Sequence, residues 1–158
     1  MRRTLVLGLG NELLSDDAVG ILAARHLREA LSEQADVIES SLSGVALMEL
    51  FVGYDCAIIV DAVQTGEFPP GAIREFTPAD LDRVLAPSPH YAGIPEILAL
   101  ARQLELDFPK DIRILAIEVA DATTIGGGLS PAVAAALPDL IAKVRSQVAR
   151  WHEESPHA

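Results

Sequence analysis

Three polar side chains of this sequence have the chemical types that a metal site needs. Asp17 follows a glycine turn after the first apolar run, Asp61 closes a later apolar run, and His90 lies in a proline-flanked loop. Two carboxylates and one imidazole suit a divalent transition metal that keeps some coordination positions open. Each of the three closes or follows a predicted strand, so we expect them to converge where neighbouring loops meet.

The residue types leave a structural role open at these positions. Asp17 and its neighbour Asp16 could be first-turn carboxylates, worth about 0.3–1 kcal/mol each against a helix dipole. His90 could be a turn residue in its loop. Asp61 favours a functional role, because residues 63–66 after it do not resemble a helix that needs a cap.

The elements that must position these side chains follow from the apolar periodicity. Short apolar runs predict strands at residues 4–7, 36–39, 54–62 and 112–119, with a peripheral strand or hairpin near 72–76. Helical spacing of apolar residues predicts helices at 19–33, 45–51, 94–104 and 131–151, with a brief helix near 77–80. Pro138 predicts a kink or a restart in the last helix. Strands that alternate with helices indicate an α/β fold.

The first of these units carries the loop that contains the acidic pair. Gly8 and Gly10 let the backbone turn sharply after the first strand. Ser15 is the predicted N-cap of the first helix, and Asp16 and Asp17 then lie in its first turn. Polar residues therefore lie at the carboxyl end of a strand, which is where open α/β sheets place their ligands.

Composition predicts one domain in a reducing compartment. The chain is 50% hydrophobic and 4% aromatic, which is typical of a buried parallel sheet covered by helices. We expect a single domain over residues 1–152 and a frayed tail over 153–158. The one cysteine, Cys56, lies in an apolar run and is predicted to be buried, which favours a cytoplasmic protein.

Charge and motifs exclude several classes of function. The net charge of −11 disfavours nucleic acid and anionic membranes as partners, because both are polyanions. No segment has the apolar length to span a bilayer. The sequence lacks the His-Glu-x-x-His zinc-protease motif and the Gly-x-Ser-x-Gly elbow. It also lacks the third glycine of a dinucleotide site and the Gly-Lys-Ser/Thr of a P-loop.

Three motifs, in the same order, resemble those of the maturation endopeptidases of nickel-iron hydrogenases. They are the opening strand with Gly8-Leu9-Gly10-Asn11 and its acidic pair, the segment Val60-Asp61-Ala62, and the loop Ser88-Pro89-His90. The resemblance covers nearly the whole chain. Together with the strand and helix pattern, it implies a three-layer α/β/α sandwich with a mainly parallel sheet of about five strands.

The resemblance also implies a function. The family removes a short C-terminal extension from the hydrogenase large-subunit precursor after nickel insertion. Asp17, Asp61 and His90 match its metal-contacting residues, and nickel would be carried by the precursor rather than held permanently. Asp16 and Glu39 are further candidates. The segment that begins at Glu39 departs from the Asp-Gly-Gly-Thr of several family members.

Two other classes share part of the pattern. A receiver-like phosphoacceptor, or another small-ligand-binding α/β domain, would also pair acidic residues near the first strand with Asp61. However, the strand at 112–119 offers Glu118 where a receiver needs a lysine. A peptidyl-tRNA hydrolase begins with a similar Gly-Leu-Gly-Asn, but its following motifs are absent and an acidic surface suits tRNA poorly.

Overall fold

The computed structural model describes residues 2–42, 44–82 and 94–154. In these residues five strands form one sheet in the order β2-β1-β3-β5-β4. The strands are β1 (Thr4–Leu9), β2 (Asp36–Ser40), β3 (Cys56–Val63), β4 (Ile73–Phe76) and β5 (Asp111–Glu118). All neighbouring pairs are parallel except β4 and β5. The predicted mainly parallel sheet of five strands is therefore confirmed.

Helices cover both faces of the sheet, as the three-layer prediction requires. They are α1 (Val19–Ala30), α2 (Met48–Phe51), α3 (Ile94–Gln103) and α4 (Pro131–Glu154). One buried cluster joins α1 and α4 to the sheet, and a second joins α2 and α3 to the opposite face. The central strands β1 and β3 are buried along their whole length, which is why their sequences read as continuous apolar runs.

The glycine at position 8 has a different role from the predicted turn. Strand β1 continues to Leu9, so Gly8 lies within the strand. Gly8 packs against Gly20 at the start of α1. An added Cβ on Gly20 would lie 2.2 Å from the Leu9 carbonyl oxygen and 2.6 Å from the Val60 carbonyl oxygen. Glycines at these positions therefore let the start of α1 pack directly against the sheet backbone.

The structure contradicts the predicted cap of α1 and excludes one of the two alternatives at Pro138. Ser15 does not cap α1; it is the first residue of a 3₁₀ turn, Ser15–Ala18, and its hydroxyl donates to the Gly128 carbonyl oxygen at 3.0 Å. The last helix does not restart at Pro138, since α4 is a single helix that contains Pro138 and reaches Glu154. The predicted tail therefore begins too early, and its residues 155–158 lie outside the described range.

Cys56 is buried as predicted, and burial raises the pKa of its thiol. None of the described helices is long and apolar enough to cross a membrane.

Candidate functional site

Asp61 lies near the carboxyl end of β3, the central strand of the sheet, and is fully buried. Ile59 and Val63, two residues to either side, pack with α2 and α3, so the alternation of a strand directs Asp61 to that same face. Its Oδ1 accepts a hydrogen bond from the Ala62 amide at 2.8 Å. The structure thus places a carboxylate inside the protein at the carboxyl end of a parallel strand, as the sequence predicted.

Asp17 lies in the 3₁₀ turn that follows β1, and this turn packs against β3. The side chain is half-buried, and its Oδ2 accepts a hydrogen bond from the Asn11 amide at 2.9 Å. Gly10 makes this closed loop feasible, because a Cβ there would lie 2.1 Å from the Asp17 carbonyl oxygen. Asp17 and Asp61 therefore belong to the same edge of the sheet.

The third predicted member, His90, lies outside the described residues. Within the described ranges, no three His, Cys, Asp or Glu side chains lie close enough together to hold a metal ion. Asp17 and Asp61 are oxygen donors, which fit a divalent cation as two members of a larger ligand set.

Asp16, next to Asp17, is a structural anchor rather than a first-turn carboxylate. It is completely buried, and its two oxygens accept four hydrogen bonds. The donors are the amides of Ala120 at 3.1 Å, Asp121 at 3.0 Å and Ser130 at 2.6 Å, and the Ser130 hydroxyl at 2.9 Å. In return, the Asp16 amide donates to the Asp121 carbonyl oxygen at 2.8 Å. Asp16 therefore fastens the turn that carries Asp17 to the loop between β5 and α4.

The loop between β5 and α4 is itself held in a defined shape. Hydrogen bonds from the Thr124 hydroxyl and from the amides of Thr123 and Thr124 lower the pKa of Asp121 to about 2. Gly126, Gly127 and Gly128 all have positive φ, between 66° and 83°, which explains the predicted glycine-rich loop.

The sequence analysis did not predict the buried ion pair between Glu118 and Arg74 near the site. Glu118, at the end of β5, is buried on the same sheet face as Asp61 and accepts a hydrogen bond from the Thr65 amide at 2.8 Å. Arg74 of β4 lies 3.7 Å from Glu118 and stacks on Phe68 at 4.2 Å. The pair holds the loop that follows β3. The available signal was a glutamate within an apolar strand, which requires a partner.

Glu39, at the end of β2, is held by two arginines of α1. Its carboxylate lies 3.0 Å from Arg25 and 3.3 Å from Arg28. The hydrogen bond from Arg25 holds the pKa of Glu39 below its ordinary value. Gly10, Glu39 and Ser40 line a cleft of about 340 Å³ beside the Asn11 loop.

We expect Arg25→Gln to raise the pKa of Glu39 towards its ordinary value, because its main hydrogen-bond donor is lost. A lowered folded-state pKa means that the pair stabilises the fold above the ordinary glutamate pKa, and that this contribution is lost as pH falls through the lowered value. An NMR titration of the Glu39 carboxyl carbon measures the shift. Arg28→Gln should cause a smaller change, and an equal or larger one would contradict the assignment.

The architecture and the position of the two carboxylates define the class: a three-layer α/β protein with its candidate site at the carboxyl edge of a mainly parallel sheet. The family model of the hydrogenase maturation proteases matches residues 21–147. This chain belongs to that family, which confirms the family predicted from the sequence motifs.

Individual relatives agree with the family model. The chain is 30% identical over 134 residues to the hydrogenase expression/formation protein HupD of Thiocapsa roseopersicina, with 82% of this chain and 60% of that protein covered. It is 29% identical over 148 residues to the hydrogenase 2 maturation protease of Escherichia coli K12, with 90% and 88% covered. The structure of the hydrogenase maturating endopeptidase HybD from E. coli matches with a TM-score of 0.76 and 26% identity, covering 94% and 93% of the two chains.

The fold also separates this chain from the receiver-like alternative. Doubly wound receivers have the strand order 2-1-3-4-5 with parallel strands. Here β5 lies between β3 and an antiparallel β4, and the residue at the end of β5 is the buried Glu118. Membership of the maturation protease family likewise excludes the peptidyl-tRNA hydrolase alternative.

Proposed function

We propose that this chain is an endopeptidase that removes the C-terminal extension of a nickel-iron hydrogenase large-subunit precursor after nickel insertion. Its membership of the maturation protease family supports this reaction. The observation that carries the proposal is the buried Asp61 at the carboxyl end of β3, beside the turn that holds Asp17. We place the reaction in the cytoplasm, in keeping with an acidic chain whose one thiol is buried.

The two carboxylates differ in a way that suits recognition of a cation carried by the substrate. Asp61 is fully buried, where a low local dielectric strengthens its attraction to a positive charge, and the proposal requires that precursor binding expose it to the cation. Asp17 is partly exposed, so an incoming group can reach it. In this proposal Asp17, Asp61 and His90 contact the precursor's nickel and hold the peptide beside it in register. Nickel is part of the substrate rather than a resident cofactor.

The peptide bond is then hydrolysed by water. In the proposed reaction a water oxygen attacks the scissile carbonyl carbon, one carboxylate takes the water's proton, and the C–N bond breaks as the departing amine gains a proton. A divalent metal beside the carbonyl could polarise it or activate the water. Asp16 contributes by fixing the Asp17 turn, and Glu39 borders the cleft beside it.

Mass spectrometry of a purified large-subunit precursor tests the proposal. The precursor is incubated with this chain in nickel-loaded and nickel-free forms, and the intact masses are compared. We expect a C-terminal peptide to be lost from the nickel-loaded form alone. Cleavage of both forms would keep the endopeptidase and overturn the role of nickel. Cleavage of neither form, tried with each precursor encoded near this chain, would overturn the proposed activity.

A further inference from the structure

A cavity of about 250 Å³ lies between α4 and the strands β3, β4 and β5. The side chains of Ile58, Ile73 and Leu115 line its sheet side, and they belong to or pack against the apolar cluster under α1 and α4. Asp61 points to the opposite face of the sheet, so the cavity is separate from the candidate site. Packed layers seldom leave gaps much larger than a water molecule, so a gap of this size is a candidate binding site.

The α4 side of this cavity is polar, where a helix that faces a sheet usually carries apolar residues. Lys143, Gln147 and Arg150 follow one another at intervals of four and three residues, which places them on one face of the helix. Gln147 is only 6% exposed, and its Oε1 accepts a hydrogen bond from Arg150 at 2.7 Å. No described residue accepts a hydrogen bond from the NH₂ group of Gln147. A buried donor therefore remains for a ligand to satisfy.

The charges that line the cavity are only partly compensated. Arg113 of β5 donates to Asp111 at 2.9 Å and lies 3.7 Å from Glu75, which also lines the cavity. Neither Lys143 nor Arg150 forms an ion pair with a described residue. Two uncompensated cations thus line one cavity of a chain whose net charge is −11. A cavity with this local excess of positive charge attracts anions.

We propose that this cavity binds a small organic anion, with its phosphate or carboxylate group held by Lys143 and Arg150. Ammonium and guanidinium groups only donate hydrogen bonds, and phosphate and carboxylate oxygens are their strongest acceptors. The apolar part of the ligand packs on Ile58 and Leu115, which favours an organic anion over a bare inorganic ion. The site is independent of the proposed peptidase reaction, because it uses none of the residues assigned to that reaction.

An NMR titration of the whole chain tests the site with probes of matched shape. Phenyl phosphate and benzoate carry a ring and an anionic group, inorganic phosphate lacks the ring, and benzyl alcohol lacks the charge. We expect the better of the two ring anions to bind with a Kd below about 1 mM and to shift the side-chain amide signals of Gln147 and the methyl signals of Ile58. Inorganic phosphate should bind more weakly than this anion, and benzyl alcohol should not bind detectably.

Two charge-matched double variants locate the binding. Lys143→Gln with Arg150→Gln removes the uncompensated cations of the cavity. Lys110→Gln with Arg145→Gln removes one exposed lysine and one exposed arginine that do not line it. We expect the first variant to bind the better ring anion at least about tenfold more weakly, because charged hydrogen bonds are lost, and the second to match the wild type within about twofold. Since all four side chains are exposed, the melting temperatures should stay equal.

Each other outcome overturns the site. No signal change with either ring anion would show that the cavity does not select anions. Equal weakening in both double variants would assign the effect to the total charge of the chain, and benzyl alcohol binding as tightly as the ring anions would assign it to apolar contact alone. Should the first variant unfold, Lys143→Gln alone is expected to weaken binding at least about threefold, and unchanged binding there would also contradict the proposal.

Discussion

Replacing Asp16 with alanine is expected to lower the free energy of unfolding by about 3–5 kcal/mol, since a buried charged acceptor is lost and its donors are left unpaired. Four hydrogen bonds end on this one carboxylate, three of them from backbone amides of the β5–α4 loop. Urea denaturation followed by circular dichroism measures the change.

The neighbouring aspartate provides the matched control. Asp17→Asn keeps the shape of the side chain and an oxygen for the Asn11 amide, so it should change the free energy of unfolding by less than about 1 kcal/mol. If Asp16→Ala were as stable as Asp17→Asn, the anchoring role of Asp16 would be wrong. Hydrogen exchange adds a local measurement, because protection should fall at Ala120, Asp121 and Ser130.

The opposite pattern is expected for activity. Asp17→Asn and Asp61→Asn should each slow processing of the nickel-loaded precursor by about 100-fold or more, the size of effect seen when an acid–base group is removed. In the proposed function both carboxylates face the cation that the precursor carries, and an amide cannot replace that charge. The rate is obtained from the appearance of the trimmed large subunit in a time course.

An exposed carboxylate that makes no bond to the site residues controls for general charge effects. Asp139 lies on α4 with its side chain in solvent, so Asp139→Asn should process the precursor at the wild-type rate. Processing within threefold of the wild type by both Asp17→Asn and Asp61→Asn would remove these residues from the mechanism. Melting temperatures of all three variants show whether a slower rate reflects unfolding instead.

The sheet could be predicted because its central strands are buried on both faces. A residue such as Ile58 or Ile59 needs an apolar side chain whichever face it points to, so the run is continuous and easily recognised. The same reasoning located Asp61, since a carboxylate that ends such a run lies at the sheet's carboxyl edge. The antiparallel pairing of β4 depends on the space left beside β5, and local periodicity carries no signal for that.

The different roles of Asp16 and Asp17 could not be predicted from their types. Adjacent residues of identical chemistry point in different directions, and only the position of the β5–α4 loop decides which one is buried. Ser15 illustrates the same limit, because a serine before an acidic pair is typical of a helix cap, whereas its hydroxyl bonds to Gly128. The pairing of Glu118 with Arg74 likewise depends on two strands that α3 separates in the sequence.

The bonds of Asp16 also determine when, during synthesis of the chain, the candidate site can be completed. Ser130, one of its partners, is 114 residues further along the chain. At about 5–20 residues per second, the ribosome needs roughly 6–23 seconds to synthesise that interval. Until then the nascent chain can pair β1, β2 and β3, but the turn that presents Asp17 lacks the Ser130 amide and hydroxyl, two of the four donors to Asp16. A ribosome-bound chain that ends before residue 130 should therefore be inactive, and competence to process a precursor should be acquired only near the end of translation.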